Sequence, residues 1–198
     1  MKRSTKLRNV SYLPVVLNGI KKILSKFTYQ KLTVKKILVI LLVAFILIQF
    51  FPIDKNNPAP TPQMDFLNIK KTPEKTANLI RNGCYDCHSN ESKYPWYSNI
   101  QPMAWFLQDH IEEGRKELNF STFATYPPKR ELKKMQEAAE LIEKNEMPLD
   151  SYIILHPEAK FTAAEKQELI HYFKTLAEET RLMNTLPTQV EKSEFKIQ

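Results

Sequence analysis

The segment Cys84-Tyr85-Asp86-Cys87-His88 contains the only two cysteines of the 198-residue chain. A C-x-x-C-H pattern is typical of covalent haem attachment, in which the two thiols add across the vinyl groups of the haem. The histidine that follows the second cysteine is then aimed at the iron as its proximal ligand. The pattern therefore predicts one haem c per chain, held by Cys84 and Cys87 and ligated by His88.

Two other kinds of site use a C-x-x-C pair. A zinc site needs two further ligands, which here have to come from the four histidines, and no second pair has zinc-finger spacing. A redox dithiol is expected between a strand and a helix, whereas both flanks of this pair have helical patterns. We expect no disulfide. Haem attachment is favoured, and the zinc and dithiol sites remain alternatives.

An apolar run precedes this motif. Every residue from 37 to 48 is apolar, and Phe50 and Phe51 extend the run to about the length that crosses a bilayer. We predict a single transmembrane helix over residues 37–53; a buried core helix and a secretory signal are the alternatives. Three preceding lysines place the N-terminus in the cytoplasm, and no small-residue cleavage site follows. This favours an uncleaved anchor in the bacterial plasma (inner) membrane, with the haem domain on its periplasmic side.

The net charge of +7 is concentrated at the N-terminus. Residues 1–36 contain ten Lys or Arg and no acidic residue, whereas the other 162 residues have a net charge of −3. This distribution argues against nucleic-acid binding and predicts a basic cytoplasmic tail. Apolar residues at helical spacing between residues 13 and 27 fit a helix on anionic headgroups, and a flexible tail is the alternative.

The rest of the chain has the pattern of a small helical domain. Prolines punctuate residues 54–71, which we predict to be an extended linker. The folded domain then covers residues 72–186, with Thr72 as the N-cap of its first helix, and residues 187–198 form a polar tail. Helices are predicted over about 72–84, 103–118, 130–145 and 162–183, the last beginning at a capping box of Thr162 and Glu165. No strand alternation is present, so the predicted fold class is all-α, preceded by the transmembrane helix.

The second axial ligand of the iron has one main candidate. Met147 precedes a proline, which keeps it out of helical geometry on a loop from which a thioether can reach iron. His156, also followed by a proline, is the alternative. His110 and His171 are predicted to be a surface residue and a structural residue.

The strings CYDCHSNESKYPWYSNIQPMAWFLQDHIEEGRKELNFSTF and MPLDSYIILHPEAKFTAAEKQELIHYF resemble the bacterial haem-binding domain family over roughly residues 70–180. The resemblance implies a cytochrome c-like domain, often behind a membrane anchor. It implies thioethers at Cys84 and Cys87, with His88 as the proximal and Met147 as the distal ligand. Beside these ligands, we predict that Trp96 and Trp105 wall the porphyrin and that Arg115 or Tyr152 binds a propionate.

Two functions remain open from the sequence. His/Met ligation leaves no open position on the iron, which suits one-electron transfer between redox proteins at the outer face of the membrane. If Met147 is not bound, an open position suits a peroxidase-like enzyme or a sensor of gases or redox state. Electron transfer is the preferred interpretation, and an enzyme is the less favoured one.

Overall fold

The structure is a computed structural model that describes residues 33–185. Within these residues the chain forms helices and turns and no strand, which confirms the all-α prediction. The predictions for the tail before residue 33 and for residues 187–198 lie outside the described residues. The chain divides into two units, Met1–Phe50 and Phe51–Gln198.

The described part of the first unit contains one helix, α1 (Val34–Ile48), which buries none of its residues. This helix has 15 residues and ends five residues before the predicted span does. Among the helices of residues 33–185, none is both long enough and apolar enough to cross a membrane. The transmembrane helix predicted over residues 37–53 therefore has no support in the structure.

The second unit contains seven α-helices within the described residues. They are α2 (Phe66–Ile69), α3 (Glu74–Gly83), α4 (Tyr85–His88), α5 (Met103–Glu117), α6 (Pro128–Glu143), α7 (Asp150–Ile153) and α8 (Ala163–Thr185). Short 3₁₀ helices lie at Pro62–Met64, Trp96–Asn99, Phe120–Thr125 and Pro157–Ala159.

Helices α6 and α8 form the most extensive helix pair. Their contact has the spacing of amphipathic helices: α6 contributes Met135, Ala139 and Ile142 to the core, and α8 contributes a stripe of five residues. That stripe is Leu169, Ile170, Phe173, Leu176 and Ala177. Helix α4, which carries Cys87 and His88, packs against α5.

The start of α8 confirms the predicted capping box. The backbone N–H of Thr162 donates to the Glu165 carboxylate over 2.7 Å, and the Thr162 hydroxyl accepts from the N–H of Glu165 over 3.3 Å. The cap predicted for α3 is wrong. Helix α3 begins at Glu74 without a side-chain cap, and the hydroxyl of Thr72 instead forms a 2.7 Å hydrogen bond with that of Tyr172.

The prediction of an extended linker over residues 54–71 is corrected at its C-terminal end. Phe66 is fully buried, and its ring lies 4.9 Å from that of Phe123 and 5.1 Å from that of Phe120. Asp65 caps α2 through the N–H of Leu67 and accepts a 2.9 Å hydrogen bond from the Tyr85 hydroxyl. Three prolines suggested a spacer, but the aromatic residue behind them belongs to the core, so the folded domain begins before Thr72.

Replacing Phe66 tests whether this segment belongs to the domain. Phe66→Ala removes a buried aromatic side chain, and we expect it to lower the free energy of unfolding by about 3–5 kcal/mol. The control is Met64→Ala, because Met64 is exposed and its loss should cost less than about 0.5 kcal/mol. Urea unfolding followed by circular dichroism measures both, and equal effects of the two substitutions would show that the segment is a spacer.

Candidate functional site

A cavity of about 440 Å³ brings together residues that are distant along the chain. Cys84, Cys87 and His88 line it, together with Met147 and Tyr152 from the segment after α6. The volume lies within the range of roughly 300–1,000 Å³ that is usual for ligand pockets. Five of the predicted site residues therefore meet in one place.

The two cysteines lie one helical turn apart. Helix α3 ends at Gly83, Cys84 is its C-cap, and α4 starts at the next residue. The backbone N–H of His88 donates to the carbonyl of Cys84 over 2.8 Å, which closes the turn. Residues three apart in a helical turn lie on the same side, and both cysteines line the cavity.

Both cysteines are free thiols, and burial raises the pKa of Cys84 to about 12 and that of Cys87 to about 11. They therefore stay protonated at neutral pH. A redox-active dithiol depends on a lowered thiol pKa, so this environment disfavours the dithiol alternative. The zinc alternative also lacks support, because residues 33–185 contain no group of three or more His, Cys, Asp or Glu side chains suited to hold a metal ion.

The imidazole of His88 is held in one orientation. Its Nδ1 lies 2.9 Å from the carbonyl oxygen of Gly114 and 3.0 Å from that of Leu118. Carbonyl oxygens only accept, so Nδ1 carries the proton and donates to both. The lone pair of Nε2 is then left for a metal, and it has no hydrogen-bond partner among the described residues. Burial lowers the pKa of His88, and the two carbonyl hydrogen bonds only partly offset this lowering. The ring is therefore neutral at pH 7, which is the form of histidine that binds a metal.

Gly114 allows this contact. A Cβ at position 114 would lie 2.6 Å from the carbonyl oxygen of Cys87 and 3.2 Å from its Cβ. Real Cβ atoms do not come this close to backbone atoms, so any other residue would push α5 away from α4. The absence of a side chain at Gly114 therefore brings the C-terminal carbonyls of α5 within reach of His88.

Met147 reaches the cavity because α6 ends in a Schellman motif. Asn145 adopts a left-handed conformation with φ 59°, and the N–H of Glu146 donates to the carbonyl of Leu141 over 2.9 Å. This is the usual reversal at a helix C-terminus, with Asn in the place that glycine often takes. The N–H of Met147 contacts the same carbonyl at 3.3 Å. The reversal turns the chain back over α6 and places Met147, Pro148 and Leu149 along the cavity.

Tyr152 lines the cavity, but its hydroxyl already has a protein partner. It donates to Oδ2 of Asp86 over 2.7 Å, and Asp86 lies between the two cysteines. Burial and the Asp86 carboxylate raise the pKa of Tyr152, so the phenol remains a donor at neutral pH. The propionate-binding role predicted for Tyr152 stays a prediction.

Four other predicted site residues do not line the cavity. Trp96 is 71% exposed and contacts Tyr97 at the ring edge, and the indole N–H of Trp105 donates to the carbonyl of Phe51 over 3.0 Å. The Arg115 guanidinium is used internally, by the carbonyl of Ser89 and the side chains of Asn57 and Ser92. His156, the alternative iron ligand, has Tyr97 on Nε2 and Glu158 on Nδ1 and does not line the cavity.

Helix α5 contributes cavity residues that the sequence interpretation missed. His110, Gly114 and Glu117 line the cavity at spacings of three and four residues, and this periodicity was the available signal. The ring of His110 lies 4.1 Å from that of Phe106 with the planes tilted by 45°, and its Nδ1 is 2.7 Å from the Phe106 carbonyl oxygen. His110 is half-exposed, so it is a helical residue near the surface that also lines the cavity.

A half-buried cation lies on the rim of the cavity. The side chain of Lys134 is 11% exposed and its Nζ lies 2.9 Å from Glu117 and 2.7 Å from Glu137. The hydrogen bonds and charge of Lys134 lower the pKa of both carboxyl groups. This cation on α6 therefore ties α5 to α6 at the cavity edge.

The model of the haem-binding domain family matches residues 43–175, which is more than half of the chain. The chain therefore belongs to the haem-binding domain family. No curated protein and no solved structure matches it. The match covers every residue that lines the cavity.

Replacing Gly114 tests the close contact between α5 and the motif. Alanine is favoured over glycine in a helix by about 1 kcal/mol, but its Cβ would enter the space of the Cys87 backbone. We expect Gly114→Ala to lower the free energy of unfolding by roughly 1–3 kcal/mol, as overpacking does. Lys116→Ala, an exposed change on the same helix, should stay within about 0.5 kcal/mol. Urea unfolding measures both, and stabilisation by Gly114→Ala would contradict the contact.

Proposed function

We propose that this member of the haem-binding domain family is a monohaem c-type cytochrome that transfers single electrons. Cys84 and Cys87 would hold the haem through thioether bonds, one S–H adding across each vinyl group. His88 and Met147 would bind the iron. The observation that carries the proposal is the cavity where both thiols, the free Nε2 of His88 and Met147 meet.

The residues present fit a haem. Six of the apolar residues that line the cavity could contact the apolar face of a porphyrin. They come from the helical core and from the segment after α6. These residues are Leu118, Phe120, Ala138, Leu141, Ile142 and Leu149. When bound, haem supplies an iron that gains and loses one electron.

The roles of the protein groups follow from their contacts. The proton on Nδ1 of His88 and its two carbonyl partners raise the basicity of Nε2 and fix the ring plane. The thioether of Met147 as second ligand raises the reduction potential. With both axial positions taken, substrates and gases have no open site on the metal. This favours electron transfer over the enzyme or sensor alternative.

Met147 is a better candidate than His110 for the second axial ligand, because the two residues belong to different segments of the cavity wall. His110 lies on α5, the helix whose Gly114 carbonyl holds Nδ1 of His88, so it belongs to the wall behind that ring. Nδ1 of His88 faces the carbonyls of this helix, which leaves Nε2 on the other side of the ring. Met147 comes from the segment beyond α6 and is the donor from a separate wall of the cavity.

Optical spectroscopy of the ferric holoprotein tests the proposal. We expect low-spin haem with the weak sulfur-to-iron charge-transfer band, a pyridine haemochrome of the c type, and loss of the band in Met147→Ala. Met64→Ala is the matched control, because Met64 is exposed outside the cavity, and it should keep the band.

Two results would contradict the proposal in different ways. High-spin ferric haem in the unsubstituted protein would favour the enzyme or sensor alternative. Low-spin haem without the band would assign the second axial position to a nitrogen ligand, and His110→Ala would then be the substitution to examine.

We also propose attachment to the bacterial plasma membrane, with the haem domain on the periplasmic side and redox proteins as partners. The support comes from the sequence: a basic tail of ten Lys or Arg is followed by twelve consecutive apolar residues. A positively charged flank of this kind is retained in the cytoplasm. In addition, α1 buries none of its apolar side chains within its own unit.

Cell fractionation tests this attachment. The full chain should sediment with membranes and resist extraction by alkaline carbonate, whereas a chain that starts at Phe51 and is exported by a separate cleavable signal should stay in the supernatant. Recovery of the full chain in the supernatant would contradict the proposed attachment.

A further inference from the structure

The geometry points to Tyr152 as a positioning residue that holds Met147 at the iron. Its hydroxyl joins the segment that carries Met147 to Asp86 within the haem-attachment motif, over 2.7 Å. The inference rests on the proposed His/Met ligation and adds to it a residue that binds neither the iron nor the haem.

The segment that carries Met147 is held by contacts at both of its ends. At its start, the Schellman turn of α6 brings the N–H of Met147 to the Leu141 carbonyl. At its end stands Tyr152, five residues later. Tyr152 lies in α7, a single helical turn in which no residue is buried. Ile154 and Leu155, which follow, are exposed. Pro148, next to Met147, is buried. Because no residue of α7 itself is buried, the hydrogen bond of Tyr152 is the main tie at this end.

The partner of Tyr152 makes this tie specific. Asp86 lies between Cys84 and Cys87, and its carboxylate also accepts from the backbone N–H of Lys93 over 3.2 Å. Its own carbonyl accepts from the Ser92 hydroxyl over 2.5 Å. Asp86 is therefore itself fixed, so the bond from Tyr152 joins the side of the cavity that carries Met147 to the side that carries the thiols.

The ring of Tyr152 is held so that its hydroxyl faces Asp86. It stacks on the imidazole of His156, with ring centroids 4.2 Å apart and planes 11° apart. That imidazole accepts from the Tyr97 hydroxyl over 2.8 Å and donates to Glu158 over 3.0 Å. Tyr97 belongs to a small apolar cluster against which Cys87 packs. The stack thus gives the same segment a second connection to the haem-attachment motif.

Loss of the Tyr152 hydroxyl should weaken the hold of Met147 on the iron while the methionine itself stays in the chain. The bond between a phenol and a carboxylate stabilises the closed arrangement, so breaking it raises the population in which the sixth position is open by about tenfold. An external ligand that competes with Met147 then binds about tenfold more tightly, because the sixth position is open in a larger fraction of the molecules.

Imidazole binding to the ferric holoprotein at pH 7 tests the inference. We expect Tyr152→Phe to bind imidazole about tenfold more tightly than the unsubstituted protein, and its charge-transfer band to be weaker. Tyr172→Phe is the matched control: it also removes one phenol hydroxyl with a 2.7 Å partner, Thr72, but lies outside the cavity lining. Its imidazole affinity should be unchanged.

Asp86→Ala removes the same hydrogen bond from the other side and serves if Tyr152→Phe does not fold. In the double variant, the two substitutions should give no more than the larger single effect, since each breaks the same bond. Unchanged imidazole affinity in Tyr152→Phe, an equal change in Tyr172→Phe, or additive effects in the double variant would each overturn the inference.

The outcome separates this inference from the proposed function. Suppose that the unsubstituted holoprotein has the charge-transfer band and that Tyr152→Phe binds imidazole with the same affinity as the unsubstituted protein. His/Met ligation then stands and the role of Tyr152 is refuted. If the band is absent from the unsubstituted holoprotein, the proposed ligation is refuted, and the role of Tyr152 with it.

Discussion

The hydrogen bond from Nδ1 of His88 to the carbonyls of Gly114 and Leu118 determines the rest of the site. The carbonyl of Leu118, the C-cap of α5, lies beyond the hydrogen bonds of the helix and is open to the histidine. The Gly114 carbonyl accepts from the N–H of Leu118 as well as from His88. This single shared proton sets the tautomer, the ring plane and the direction of Nε2. Gly114 permits it because its backbone comes close to that of Cys87 where any side chain would collide.

The rest of the domain brings the segment with Met147 to the cavity that His88 lines. The α6–α8 pair provides a firm support, and the Schellman turn at Asn145 sends the chain from the end of α6 back toward the cavity. Lys134 joins α6 to α5 at the rim. The bond from Tyr152 to Asp86 closes the other side. A haem in this cavity would add apolar contacts to all of these segments, so folding and haem attachment should reinforce one another.

Features that depend on a few neighbouring residues could be predicted from the sequence. The attachment motif places two thiols and an imidazole on one short turn, and the capping box of Thr162 and Glu165 is also local. Features that depend on distant contacts were missed or misplaced. Trp96 is close to His88 in sequence, yet its 3₁₀ turn leaves it exposed. Gly114 shares the three- and four-residue spacing of the cavity residues on α5, but its contact with the Cys87 backbone appears only when the two helices pack. Phe66 follows prolines that suggest a spacer, and only the aromatic cluster reveals that it is buried.

The most direct test of this account is a crystal structure of the holoprotein. We predict iron bound to Nε2 of His88, thioether bonds at Cys84 and Cys87, and Nδ1 still donating to the carbonyls of Gly114 and Leu118. A haem located elsewhere in the chain, or iron bound through a side chain other than His88 while this imidazole keeps its two carbonyl partners, would contradict the account.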